Sequence, residues 1–223
     1  MKASKIAAFF DFDGTIYNGI IAVDFFKFLV ANRIINIAET IVLSKLLYYY
    51  VLDKFGIAER YSINKRAYGK ISGWNAYALE SNSKKFLKLI IDKKLYAEAI
   101  KIIKWHRKNK HKVIIVTSAL KQIVNPVRNW INIDDLIATE IEIRNGIYTG
   151  IIKALPVGKN RFDVIKRYCR LHNIDIKKSY AYSDHYSDIP LLQNIGNPAA
   201  VNPDRKLRNH AQKNKWKIIS INH

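Results

Sequence analysis

The chain has 223 residues, 49% hydrophobic and 25% charged, which is enough apolar content for a packed core and excludes a disordered polyelectrolyte. Lys and Arg total 38 against 18 Asp and Glu, so the net charge of +20 favours anionic partners: phosphorylated metabolites, nucleic acid or an acidic lipid surface. The single cysteine, Cys169, excludes an intramolecular disulfide and a Cys-rich zinc site, and it suits a reducing compartment.

In chain order, Met1 to Lys5 does not have the form of a signal peptide, and the chain is expected to be cytoplasmic. Ile6 to Phe10 reads as a buried strand stopped by Asp11-Phe12-Asp13-Gly14. Val23 to Leu95 reads as helical, with Phe25, Phe26, Leu29 and Val30 on one face. Ile41, Leu43, Leu46, Leu47 and Tyr50 make a second face in a greasy stretch that contains Glu39 and Lys45 and is not a convincing membrane span.

From there strands and helices alternate. The expected elements are a helix over Ala97–Lys110, a strand over Val113–Val116 and a helix over Lys121–Ile131. Ile137–Ile143 and Ile147–Ile152 flank Arg144-Asn145-Gly146, a hairpin signal because Asn-Gly suits a tight primed turn. A helix over Arg161–Leu171, a strand over Ser179–Tyr182 and a short helix over Ile189–Gln193 follow, then a strand over Ala199–Val201, a helix over Asp204–Lys213 and a last strand over Lys217–Ile221. Such alternation implies an α/β fold, a parallel sheet with helices on both faces.

Ligands of open α/β sheets bind beyond the carboxyl ends of the strands. Three polar clusters fall at such ends: Asp11-Phe12-Asp13-Gly14-Thr15, Thr117-Ser118, and Ser183-Asp184-His185-Tyr186-Ser187-Asp188. Four carboxylates are therefore expected in one crevice, where like charges need a cation. Hard oxygen ligands suit Mg²⁺, which commonly takes one or two carboxylates and a substrate phosphate. An EF-hand is excluded, since Gly14 is fourth from Asp11 and the twelfth position is Ala22.

These motifs resemble those of the haloacid dehalogenase (HAD) superfamily. Phe9-Phe10-Asp11-Phe12-Asp13-Gly14-Thr15 looks like its first motif, Val113 to Ser118 like the second, and Tyr182 to Asp188 like the fourth. The helical stretch directly after the first motif is similar to the cap of subfamily IB, the phosphoserine-phosphatase-like group, as are Ile147-Tyr148-Thr149-Gly150 and Ala200-Val201-Asn202-Pro203-Asp204. The resemblance implies a Rossmann-like core over residues 1–17 and 96–223, with an all-helical cap over 18–95 inserted after the first strand. It implies a Mg²⁺-dependent phosphatase in which Asp11 is the nucleophile and Asp13 the general acid and base. Asp11, Asp184 and the Asp13 backbone carbonyl would ligate the metal, with Asp188 behind them orienting the site. Thr117 would donate its hydroxyl to the phosphoryl group, assisted by the Ser118 amide. For the third-motif cation, Gly158-Lys159-Asn160-Arg161-Phe162 offers two candidates: Arg161 fits the family spacing, and Lys159 fits after a shift of two.

The substrate is expected to be a small phosphorylated metabolite. Phosphoserine-specific relatives carry a Glu nine residues after the nucleophile, where this chain has Ile20, and the nearest acid is Asp24. Ile41 to Phe55 is greasy and aromatic and is flanked by Lys45, Lys54, Arg60, Lys65 and Arg66, which could form a surface for acidic lipid; the resemblance extends to a branch of the superfamily with similar caps that includes membrane-associated phosphatidylglycerophosphate phosphatases, and so implies a lipid phosphate as the alternative substrate. Lys104, Arg107, Lys108, Lys110 and Lys112 with Trp105 and His106 could suggest a nucleic-acid binder, but no nucleic-acid motif accompanies them.

Overall fold

A computed structural model describes residues 4–37, 39–41, 44 and 60–221. Strand β1 (Ala7–Phe10) is buried throughout, and its alternation sends Phe9 and Phe10 to opposite faces of the sheet. Burying each ring contributes about 1.5–3 kcal/mol. The next described elements are all helical: α1 (Ile21–Ala31), α2 (Arg60–Gly69) and α3 (Ala76–Lys94). Ile21, Phe25 and Leu29 are the buried positions of α1. Phe26 is half-buried and Val30 is exposed, so the apolar stripe is narrower than its composition suggests. Of the expected second face, Leu43, Leu46, Leu47 and Tyr50 lie outside the described residues, as does most of the aromatic run to Phe55, and Ile41 is exposed.

The chain leaves β1 and comes back beside itself. Tyr17 and Leu95 form an antiparallel bridge, Asn18 N–H donates to the Lys94 carbonyl at 2.7 Å, and Tyr96 N–H donates to the Ile16 carbonyl at 2.9 Å. Both crossings of the helical segment are thus tied at one point.

After the return come α4 (Ala97–Lys108), β2 (Lys112–Leu120), the short helices α5 (Lys121–Val124) and α6 (Val127–Ile131), and the strands β3 (Asp135–Arg144) and β4 (Ile147–Ala154). The single helix expected over 121–131 breaks because Pro126 has no amide to donate. The strand expected to stop at Val116 instead runs to Leu120, with its ladder to β3 interrupted between those two residues. The hairpin forms as expected, with Asn145 and Gly146 at φ of 50° and 78°.

The remainder is α7 (Lys159–His172), β5 (Tyr180–Ser183), a 3₁₀ turn at Tyr186–Asp188, α8 (Ile189–Leu192), β6 (Asn197–Val201), α9 (Arg205–Lys213) and β7 (Lys217–Ile219). Asp204 caps α9 by accepting from Leu207 N–H at 2.8 Å. Helix α7 begins at Lys159, two residues before its expected start, because Gly158 with φ of 56° turns the chain into it. The sheet order is β4-β3-β2-β1-β5-β6-β7, parallel except for the β3–β4 hairpin. One apolar layer unites Phe10, Ile115 and Ile103 with Phe25, Leu29, Phe86 and Ile91; the other unites Phe9, Ile114 and Val116 with Ile165, Leu192 and Leu207. β1 is central, so the chain following it emerges in the middle of the carboxyl edge.

Candidate active site

Asp11 follows β1 directly and is 6% exposed. Its amide donates to the Tyr182 carbonyl of the neighbouring β5 at 2.9 Å, which extends the β ladder one residue past the strand. Its Oδ1 accepts from Phe12 N–H at 2.9 Å and lies 3.2 Å from Arg161 Nη1. The loop then tightens through Gly14, whose φ is 74°. A Cβ at Gly14 would fall 2.2 Å from Asp184 Oδ2, so only glycine lets the Asp184 carboxylate lie against this loop. Asp184 follows β5 as Asp11 follows β1, and the parallel pairing of those two strands, with Phe10 opposite Tyr182, brings both acids to the same carboxyl edge.

Arg161 lies on the first turn of α7, 2% exposed. Its Nη1 is 2.5 Å from Asp188 Oδ2 and 3.2 Å from Asp11 Oδ1, while its Nε donates to the Pro156 carbonyl at 3.2 Å. Asp188 is 0% exposed and also accepts from the Ser183 hydroxyl. A buried guanidinium is thus held between two buried carboxylates with directed hydrogen bonds, the condition under which burying charge is tolerable. Lys159, two residues earlier on the helix, is exposed. The structure brings Arg161 to the acids and leaves Lys159 at the surface.

Asp13 also supports α1. Its Oδ1 accepts from Ile21 N–H at 2.7 Å, capping α1 from eight residues upstream where the N-cap residue itself, Ile20, has no polar side chain. Thr117 and Ser118 lie in the interrupted stretch of β2, and such irregularities commonly re-aim side chains beside a site. Thr117 Oγ1 accepts from Ala119 N–H at 3.0 Å. The Ser118 carbonyl accepts from Tyr68 of α2 at 2.6 Å and from Thr139 of β3 at 2.7 Å. The four expected carboxylates therefore share one region but divide their work: Asp11 and Asp188 face Arg161, Asp184 packs on Gly14, and Asp13 faces α1.

Among the described residues no three His, Cys, Asp or Glu side chains group as a metal cage. The arrangement still fits Mg²⁺, which needs only one or two carboxylates besides water and substrate oxygens. Asp11 and Asp184 at adjacent strand ends, with the Asp13 backbone between them in sequence, make such an oxygen set.

Residues 8–193 match the haloacid dehalogenase-like hydrolases. The chain belongs to that family. It is 29% identical over 220 residues to the inhibition of morphological differentiation protein of Streptomyces azureus, covering 97% of this chain and 79% of that one. It is 26% identical over 218 residues to a probable phosphatase of Mycobacterium tuberculosis, covering 98% and 76%. In fold it is similar to a Bordetella pertussis protein of unknown function, with a TM-score of 0.85 at 24% identity over 97% of this chain and 99% of that one. A substrate-bound phosphoserine phosphatase superposes with a TM-score of 0.70 at 16% identity, covering 99% and 94%.

Asp24, the nearest acid to the position where phosphoserine-specific relatives carry their Glu, already has partners in this hydrolase. Its Oδ2 accepts from the Tyr17 hydroxyl at 2.7 Å and lies 3.3 Å from Lys94 Nζ, and its Oδ1 is 4.0 Å from Lys27 Nζ. Burial first, then the Asp24 bond, pushes the Tyr17 phenol upward in pKa, so it stays a donor. Of the basic cluster around α4, Arg107 and Lys112 are 3.6 and 3.0 Å from Asp134, so the patch is partly neutralised. Among the described residues no helix is long and apolar enough to cross a membrane. Sequence reasoning did not find Tyr68, Thr139 or the Pro156 carbonyl; Tyr68 and Ser118 are 50 residues apart, and no local pattern links them.

Proposed function

We propose that this hydrolase cleaves phosphomonoesters with Asp11 as nucleophile, and that residues 18–95 form its cap. The observation that carries the proposal is the buried Asp11 held at the sheet's carboxyl edge beside the Arg161 guanidinium. Arg161 offsets the charge of an incoming phosphate, which lets two anions approach, and the Asp188 and Pro156 contacts hold it in place. An Asp11 oxygen attacks phosphorus, the P–O bond to the leaving alkoxide breaks, and an aspartyl-phosphate remains. Asp13 delivers the proton to that alkoxide, then removes one from the water that hydrolyses the acyl phosphate. Thr117 donates its hydroxyl to a phosphoryl oxygen, and the Ser118 amide assists. Mg²⁺, held by Asp11, Asp184 and the Asp13 carbonyl, would supply further neutralisation of phosphoryl charge.

The substrate is a small phosphorylated metabolite. Phosphoserine itself is disfavoured, since Ile20 cannot bind an ammonium and Asp24 is engaged by Lys94 and Tyr17. The test is Asp11→Asn assayed on an aryl phosphate and a phosphomonoester panel, with and without chelator. Turnover should fall by well over about a hundredfold, since losing a nucleophile costs far more than that in known cases. EDTA should remove wild-type activity and Mg²⁺ restore it. Retention of more than about a hundredth of turnover by Asp11→Asn would falsify the covalent route.

A second reading, action on a lipid phosphate at an anionic surface, is favoured by Ile34, Ile37 and Ile41, which are 42%, 80% and 51% exposed on a chain of net charge +20. Co-sedimentation with anionic vesicles that partly survives 1 M salt supports it, because screening there shortens to about 3 Å and removes a contact made by charge alone. Absence of vesicle binding at low salt rejects it.

A further inference from the structure

The hydrogen bonds around Ser118 form a directed chain that begins in the cap segment and ends at the phosphoryl donor of the proposed reaction. The Tyr68 hydroxyl, on α2, donates to the Ser118 carbonyl at 2.6 Å. That carbonyl shares its peptide unit with Ala119 N–H, which donates to Thr117 Oγ1 at 3.0 Å. A threonine hydroxyl has one hydrogen to donate and lone pairs to accept. With Oγ1 accepting from Ala119, the Thr117 hydroxyl is oriented, and its own hydrogen is left to point away from that amide. Hydrogen bonds in series polarise one another, by about 10–30% each in condensed phases, so a donor on the Ser118 carbonyl strengthens the Ala119 donor behind it.

We propose that Tyr68 is a positioning residue: seated on Ser118, it fixes the 118–119 peptide and through it the Thr117 hydroxyl that meets the phosphoryl group. This rests on the phosphatase reading above. Thr139, which also donates to the Ser118 carbonyl at 2.7 Å, comes from β3 of the sheet and stays with it. Tyr68 comes from the segment tied to the core through the Tyr17–Leu95 bridge, so it is the donor that a movement of that segment would withdraw.

The test is a double-mutant cycle on the full chain with 4-nitrophenyl phosphate and Mg²⁺, combining Tyr68→Phe with Thr117→Ala and, separately, with Thr117→Ser. Tyr68→Phe removes only a hydroxyl and should lower kcat by about three- to tenfold, the range of one net hydrogen bond, with KM nearly unchanged. The same loss should persist in the Thr117→Ser background, which keeps a hydroxyl to orient, and should vanish in Thr117→Ala. A purely structural tyrosine would lower the melting temperature and multiply with Thr117→Ala, and that result overturns the inference. A change confined to KM overturns it too, since Tyr68 would then only line the substrate pocket. Asp11→Asn serves as the parallel control. Its inactivity beside a fully active Tyr68→Phe defeats this inference alone, whereas an active Asp11→Asn defeats the phosphatase reading with it.

Discussion

Tyr182 and Ser183 are neighbours on β5, yet each anchors a different buried polar cluster on an opposite face of the sheet. The Ser183 hydroxyl donates to Asp188 and joins Arg161 and Asp11. The Tyr182 hydroxyl meets His106 Nε2 at 2.8 Å, and His106 Nδ1 meets His111 Nδ1 at 2.8 Å under α4. The first cluster sets a guanidinium between two carboxylates. The second disfavours charge: burial, then the neighbouring His111, lowers the His106 pKa to about 4, and burial lowers that of His111. Burial of polar groups is common to both, so burial alone does not mark a reactive centre. What separates them is an acid–guanidinium array at the carboxyl edge of the strands, where ligands of such sheets bind.

The comparison is broken most directly at Arg161. Arg161→Ala should lower turnover by about 10²- to 10³-fold or more, the usual loss for one group that stabilises developing charge. It should also destabilise the fold, because Asp188 and Asp11 lose their buried counter-charge. Lys159→Ala, at an exposed position, should change kcat little. The opposite ranking would show that the exposed cation, not the buried one, meets the phosphate.

Asp188→Asn should have a smaller effect, because an amide can still hold Arg161 while removing one charge. Turnover of this variant should fall less than that of Arg161→Ala. A loss as deep as that of Asp11→Asn would place Asp188 in contact with the reacting atoms rather than behind Arg161.

The smallest effect on activity is expected at the histidine cluster, where the readout is stability. His106 has a folded pKa of about 4, below the ordinary 6.5, so the unfolded chain binds its proton first. Thermal stability should therefore be undiminished above pH about 6.5 and decline as pH falls toward about 4, where the folded imidazole also titrates. His111 is shifted in the same direction and adds to the slope. His106→Gln should flatten that decline and leave turnover near wild type. An unchanged melting profile between pH 7.5 and 4.5 in wild type would show that the pair is not held neutral.

The sequence alone determined the strand ends and hence the acids at them. An apolar run stopped by Asp11-Phe12-Asp13-Gly14, and a second stopped by Ser183-Asp184, can hardly be anything but strands opening into a polar edge, and Asn145-Gly146 demands its hairpin. Tertiary structure decided what each polar group faces. Lys159 and Arg161 are equally basic and two residues apart, but on a helix that spacing turns a side chain by about 200°, so only one can look at the sheet. Asp13 caps a helix whose own N-cap position is Ile20, and Tyr68 reaches Ser118 across 50 residues. The chain leaves the core at Tyr17 and returns at Leu95, with Tyr68 between them seated on the Ser118 carbonyl, and no local pattern of residues encodes where such a segment lands.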